Sequence, residues 1–173
     1  MQALSASQAA DPSVVIAFAR AWIGTPYLHQ ASTRGAGADC LGLARGIWRE
    51  LQGSEPFAVP AYTRDWGEVG GREVLLEAAS RFLIEVPVDQ AGPGALLLFR
   101  MGPSVPAKHC GLLAASDGSG PDPLSLIHAY DRTAVIEEPF KRLWQRRAAF
   151  AFLYPAAPDL AVPSPTVLCR EAL

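Results

Sequence analysis

The chain has 173 residues, half of them apolar and 18% charged, with a net charge of −2 at neutral pH. That length suits one domain with a substantial core, and the charge balance leaves no electrostatic footprint for DNA or RNA. No apolar run approaches the roughly 20 residues of a membrane-spanning helix. The opening "MQALSASQAADPSVV" lacks the basic and apolar regions of a signal peptide.

The first predicted element starts in "DPSVVIAFARAWIGTPY", with Asp11 as cap, Pro12 in the first turn and Val15, Phe18 and Trp22 at helical spacing. Gly24 stops it, "GTPY" turns the chain, and residues 28–38 read as a loop rich in Gly, Ser and Thr. A second helix begins at Asp39 or Cys40 and ends at Gly53, with Cys40, Ala44, Ile47, Trp48 and Leu51 on one face. Gly42 and Gly46 each cost such a helix about 1 kcal/mol relative to Ala. They imply a close approach by another backbone, which we assign to the sheet that carries the histidines. Gly35 and Gly37 would let the loop and a substrate backbone come near Cys40.

After a Pro-bearing loop over 54–70, "REVLLEAASRFL" reads as a third helix, with Leu75, Ala79 and Phe82 together. The period then changes from helical to alternating. Strands are expected at 95–100, 109–115, 124–130, 133–138 and 148–155, with "DGSGPDP" as a turn and "FKRLWQRR" as a helical turn or more. Helices followed by a run of strands predict α+β with an antiparallel sheet. A single domain is expected over 1–155, and 156–173 as a Pro- and Ala-rich extension. That extension is either a disordered terminus or an arm in which "TVLC" adds a strand to a partner.

Three cysteines, Cys40, Cys110 and Cys169, read as free thiols rather than as a disulfide framework. At a helix start, unpaired N–H groups and the helix dipole favour a thiolate at Cys40, and Asp39 fits the cap. The bland alternative is a buried small hydrophobe. Strand alternation puts His109, Gly111 and Leu113 on one face and Cys110, Leu112 and Ala114 on the other. His128 shares a face with Leu126 and Tyr130. If the strands pair, His109 and His128 become neighbours on the side covered by the Cys40 helix, the pattern of an activated nucleophile. A zinc site built from Cys40, His109, Cys110 and His128 has suitable ligand types, but Cys110 should point away from His109 and no C-x-x-C or H-E-x-x-H spacing supports it.

"GTPY" before a Gly-rich loop, "DCLGL" opening a helix, and "KHCGLL" and "LIHAY" in strands together resemble the NlpC-type cysteine peptidases of bacterial cell walls. The resemblance covers about residues 11–155 and implies a papain-like α+β fold. "YLHQASTRGAGADCLGLARGIWREL" looks like the branch encoded beside phage tail genes and in gene transfer agents. Carried over, Cys40 is the nucleophile, His109 the general base and His128 the residue orienting it. Tyr27 is either an oxyanion-assisting tyrosine or a turn-packing aromatic. His29 is either a substrate contact or a solvated loop histidine. Asp39 is the cap. The family departs here in two places: many relatives have "DCSGF" and "HVG", where this chain has Leu41 and Cys110.

The implied reaction is hydrolysis of peptidoglycan stem peptides, usually at the γ-D-glutamyl–diamino acid bond, with no cofactor and no metal. The implied partners are phage-tail or baseplate hub proteins. The chain would be made in the cytoplasm and carried in a tail to act in the wall or periplasm of a target cell. The alternative is a catalytically silent papain-like module of the tail tip.

Overall fold

Asp11 opens helix α1 (Pro12–Arg20): its carboxylate accepts the Ser13 N–H at 2.8 Å. The computed structural model describes residues 6–63, 71–116, 118 and 122–157. The buried stripe of α1 is Val15, Ile16 and Ala19. It lies one step round from the expected line, because Phe18 is only half-buried and Trp22 is buried from the turn after the helix. Residues 28–38, expected as loop, contain a small antiparallel hairpin of β1 (Ser32–Thr33) and β2 (Gly37–Ala38). Gly35 sits at its tip with φ +76°, a conformation that glycine adopts without strain.

Helix α2 (Cys40–Gln52) begins where the sequence places it. Asp39 caps it through Gly42 N–H at 2.8 Å, and Gly53 with φ +83° ends it. Leu43, Ala44 and Ile47 fill the core from this helix. Fully burying a residue such as Ile47 contributes about 1.5–3 kcal/mol. The two helix glycines serve neighbours other than the expected sheet. A Cβ on Gly42 would lie 1.9 Å from the Ala31 carbonyl oxygen, and one on Gly46 would lie 2.0 Å from the Trp22 ring. Gly37 faces Leu28, so none of these three glycines opens space for a substrate backbone. Gly42 and Gly46 let the hairpin backbone and α1's trailing Trp22 press against α2.

Helix α3 (Val74–Phe82) buries Leu75 and Ala79 and runs into a short strand, β3 (Ile84–Val86). Its capping position, Glu73, binds away from the helix: the carboxylate accepts from Ala107 N–H at 2.9 Å and pairs with Arg100 at 2.6 Å. The rest of the sheet comprises β4 (Leu96–Arg100), β5 (Ala107–Ala115), β6 (Leu124–Ala129), β7 (Val135–Pro139) and β8 (Ala148–Leu153), with helix α4 (Arg142–Arg147) before β8. Strand order is β3-β8-β4-β5-β6-β7, and every pair is antiparallel. The "GTPY" turn adds to the β7 edge through Gly24 N–H to Val135 O and Val135 N–H to Thr25 O. Most of "DGSGPDP", residues 64–70, and the extension from residue 158 with "TVLC" and Cys169 lie outside the described residues.

The sheet has two packed faces. Leu96, Leu98, Cys110, Leu112, Ala114 and Ile127 meet the helices α1, α2 and α3. Leu97, Phe99, Leu113, Leu126 and Ala151 meet Trp144 of α4. The histidines keep the parity of Leu113 and Leu126, so the expectation that they lie on the side covered by the Cys40 helix is corrected. That helix covers the Cys110 side.

Candidate active site

Cys40 is the first residue of α2 and only half-buried. Its backbone N–H belongs to the group that has no acceptor within the helix. Its sulfur lies 3.9 Å from the Lys108 carbonyl. The thiol is held well below the usual cysteine range. The first cause is a hydrogen bond from the Cys110 thiol, followed by a hydrogen bond and favourable charge from His109 and the Cys110 backbone N–H, against burial that acts the other way. Cys110 itself is buried and pushed well above the ordinary value, first by the same shared hydrogen bond and then by burial.

The β4–β5 register explains how a helix on one face meets a histidine on the other. Phe99 opposes His109 and Arg100 opposes Ala107, leaving Lys108 as an extra residue in a bulge. Bulges bend a strand and re-aim its side chains. At this bend, beside the N-terminus of α2, His109 comes within hydrogen-bonding reach of Cys40.

From His109 a polar chain runs away from the sulfur. His109 Nε2 is 2.9 Å from His128 Nδ1, and His128 Nε2 is 3.0 Å from Glu138 Oε1. Glu138 Oε1 also accepts the Trp144 indole N–H at 2.8 Å. The protons follow from the carboxylate end. Glu138 accepts only, so His128 carries its proton on Nε2 and offers Nδ1 as an acceptor. His109 then donates from Nε2, which leaves its Nδ1 lone pair for the thiol proton. His128 is fully buried and its pKa falls to about 4, first through burial and then through the His109 charge, with Glu138 opposing. It is therefore neutral at neutral pH, as this chain requires. Trp144 stacks on His109 at 5.5 Å and meets His128 edge-on at 5.0 Å, shielding their contact from water. Gly111 makes room: a Cβ there would come within 2.9 Å of the His128 Cβ.

Asp39 does more than cap. It is 2% exposed, and its second oxygen accepts from Gln30 N–H at 2.7 Å and the Tyr62 hydroxyl at 2.6 Å. Burial and then Asp39 push the Tyr62 hydroxyl far up, so it stays a donor. The Tyr62 carbonyl accepts from His29 Nε2–H at 3.0 Å and Gln30 Nε2 at 2.7 Å. His29 is thus bound to the protein, with Nδ1 3.4 Å from Asp39, and is not a solvated loop residue. Together Tyr27, His29, Cys40, Tyr62, His109 and Trp144 line a cleft of roughly 790 Å³.

The structure thus gathers Cys40, His109 and His128 at one end of the cleft and ties Asp39 and His29 together through Tyr62, with Asp39 next to Cys40 in the chain. Tyr27 lines the same cleft. Glu138, Trp144 and Tyr62 were missed; an acid on β7 two residues beyond Ile136, the register partner of His128, is the sequence signal that could have found the first. Among the described residues, no group of three or more His, Cys, Asp or Glu is arranged to hold a metal ion. With its proton passed to His109 Nδ1, the sulfur can attack an electrophilic carbon, and the helix-start N–H groups can receive developing negative charge.

No protein-family model and no curated protein sequence matches the chain. Solved structures do. The NlpC/p60 domain of the peptidoglycan hydrolase SagA aligns with 83% of this chain and 98% of its own, at 22% identity and TM-score 0.51. An NlpC/P60 family protein from Bacillus cereus aligns with 87% of this chain at 17% identity and TM-score 0.54. A lipoprotein-like NLP/P60 family protein from Staphylococcus aureus aligns with 89% at 15% identity and TM-score 0.51. The chain spans less than half the length of the last two, 41% and 43%. Helices packed on one face of a continuous antiparallel sheet, with these neighbours, give the chain an α+β papain-like fold of the NlpC/p60 type.

Proposed function

We propose that this protein is a cysteine peptidase that hydrolyses amide bonds in peptidoglycan stem peptides. The observation that carries the reading is the hydrogen-bonded run His109–His128–Glu138 opening with Cys40 onto one cleft, where His109 favours the Cys40 thiolate. Cys40 attacks the scissile carbonyl while His109 Nδ1 holds its proton. The N–H groups at the start of α2 receive the oxyanion, and His109 returns the proton to the leaving amine. Water, deprotonated by His109, then releases the acyl group from Cys40. His128 keeps the His109 ring in the required tautomer, and Tyr27, bridged to Ala38 two residues before Cys40, lines the same cleft. This chemistry uses no cofactor and no metal. The solved neighbours supply the substrate class: the SagA domain belongs to a peptidoglycan hydrolase.

The finer assignment rests on the sequence resemblance of residues 27–51. That stretch makes the protein a component of a phage-like tail, bound to hub proteins and opening a target wall for DNA delivery, while the wider family resemblance over about 11–155 makes the γ-D-glutamyl–diamino acid bond the target. Residues 1–155 then form the peptidase domain and the remainder its extension. The test is mass spectrometry of muropeptides released from purified peptidoglycan, with iodoacetamide-blocked protein as control. Fragments split at the γ-D-glutamyl bond are the expected products. Intact stem peptides at every enzyme concentration would instead make the chain a silent structural module.

Glu138→Gln isolates the far end of the chain. Glutamine keeps the size but can turn its amide N–H toward His128 and invert the tautomers. By the behaviour of carboxylates that orient ligating histidines, kcat should fall roughly ten- to a hundredfold. KM should stay nearly unchanged, since Glu138 acts through His128. Steady-state kinetics on a stem peptide read both.

A further inference from the structure

We propose that Cys40 and Cys110 form a peroxide-responsive thiol pair, in which oxidation of the nucleophile is captured by Cys110 as a reversible intramolecular disulfide. The inference concerns the regulation of the site just described and rests on Cys40 being its reactive thiol.

The two sulfurs belong to different elements and meet across the α2–β5 contact. Cys110 is 1% exposed on the helix-covered face of β5, and its thiol donates to the backbone carbonyl of Cys40 itself at 3.2 Å, close enough to favour the Cys40 thiolate. Cys40 lines the open cleft, so a small hydroperoxide reaches it from solvent, while Cys110 is buried and faces a separate apolar cavity between α2 and α3. Exposure and thiolate character select the sulfur that reacts first. Packing has no need of sulfur at position 110, since the neighbours Leu112, Ala114 and Ile127 fill the same face with plain hydrocarbon.

The chemistry balances. The Cys40 thiolate attacks the terminal oxygen of a hydroperoxide and the O–O bond breaks. The leaving alkoxide or hydroxide takes the proton held on His109, and Cys40 becomes a sulfenic acid. Cys110 then attacks the Cys40 sulfur. The sulfenic oxygen leaves as water, taking up the Cys110 proton, and the S–S bond forms. Two thiols and one peroxide give one disulfide, one alcohol or water, and one further water. The resting state protects against premature attack by Cys110. Its thiol is held protonated first by its hydrogen bond with Cys40 and then by burial, with the charges of Cys40 and Asp39 behind them. Oxidation of Cys40 to a neutral sulfenic acid removes the two Cys40 contributions and makes the second thiol easier to deprotonate. A dithiol reductant reverses the bond by exchange. Without a second thiol, further peroxide would drive Cys40 on to irreversible sulfinic and sulfonic acids.

The test treats the full chain with a several-fold molar excess of hydrogen peroxide. Intact mass, free-thiol count and non-reducing peptide mapping follow, and wall digestion is measured before and after dithiothreitol. The expected result is loss of two thiols, no added oxygen, a Cys40–Cys110 cross-linked peptide, and full recovery of thiols on reduction. Cys110→Val should instead gain two or three oxygens at Cys40 and lose its activity for good. Cys110→Ser provides the same comparison if the valine variant does not fold. Sulfinic acid at Cys40 in the wild type, a cross-link to Cys169, or unreacted thiols would each overturn the proposal. The mass readout is independent of catalysis. A reversible Cys40–Cys110 bond in a protein that never digests wall would sink the peptidase reading and leave this one standing. An active enzyme with no such bond does the reverse.

Discussion

Replacing Cys40 by alanine is expected to abolish peptidoglycan digestion while leaving a folded protein, and His109→Ala to do the same. Under the proposed mechanism both groups take part directly in bond making, and nothing adjacent can substitute. The Cys110 thiol sits against the Cys40 carbonyl on the far side of the nucleophile, away from the cleft. The second histidine has its Nε2 committed to Glu138 and its Nδ1 to His109. Loss of a nucleophile or its base in comparable catalytic units lowers kcat by about a millionfold, so the variants should be indistinguishable from buffer in a muropeptide assay. Stability should barely move for Cys40→Ala, because the site is half-buried and alanine is the best helix former. A melting curve shows this independently of activity. If the Cys40→Ala protein cuts as well as the wild type, the catalytic assignment fails.

The second large effect comes from a residue with no functional group. Gly42→Ala would drive a methyl to 1.9 Å from the Ala31 carbonyl oxygen and 3.2 Å from Asp39 Oδ1. The first is backbone and cannot swing aside. It is also tied in place, since the Ala31 carbonyl accepts Asp39 N–H at 3.3 Å and the Ser32 hydroxyl holds the Gly42 carbonyl. Relief requires the hairpin and the start of α2 to separate. The gain in helix propensity, about 1 kcal/mol, is smaller than the overpacking cost of about 1–3 kcal/mol or more. The separation moves Cys40, two residues away. The expected outcome is a protein destabilised by about 2 kcal/mol in a denaturant titration and also impaired in kcat per folded molecule. Gly46→Ala is the matched control: its methyl meets the Trp22 ring, one helical turn farther from the sulfur. It should lose stability while the folded fraction keeps its turnover. Equal kcat losses in both variants would show that the hairpin contact does not position the nucleophile.

What could be read from the sequence followed from patterns that are local. The cap–cysteine–helix succession at 39–53 and the alternating runs that became β4 to β8 are each determined by neighbours in the chain, and the structure shows them close to the expected bounds. Readings that needed a partner segment fared differently. The histidines keep the predicted parity, yet the face was misassigned, because the bulge at Lys108 brings His109 to the nucleophile from the other side of the sheet. The glycines of α2 do mark close approaches, but toward Ala31 and Trp22. Two-residue strands such as β1 and β2 carry too few positions for alternation to register. Glu138, Trp144 and Tyr62 act only through contacts with residues that lie elsewhere in the sequence, so no periodicity could single them out.

The ties converging on Asp39 have a consequence for cooperativity. One buried carboxylate holds the first turn of α2, the backbone at Gln30 and the hydroxyl of Tyr62. Local opening in proteins proceeds in contiguous units, and these three segments cannot open one at a time without stranding a desolvated charge. The cleft wall and the nucleophile's helix are therefore a single unit of local unfolding. Under the proposed function, a substrate settling against Tyr62 would also stiffen the turn from which Cys40 attacks.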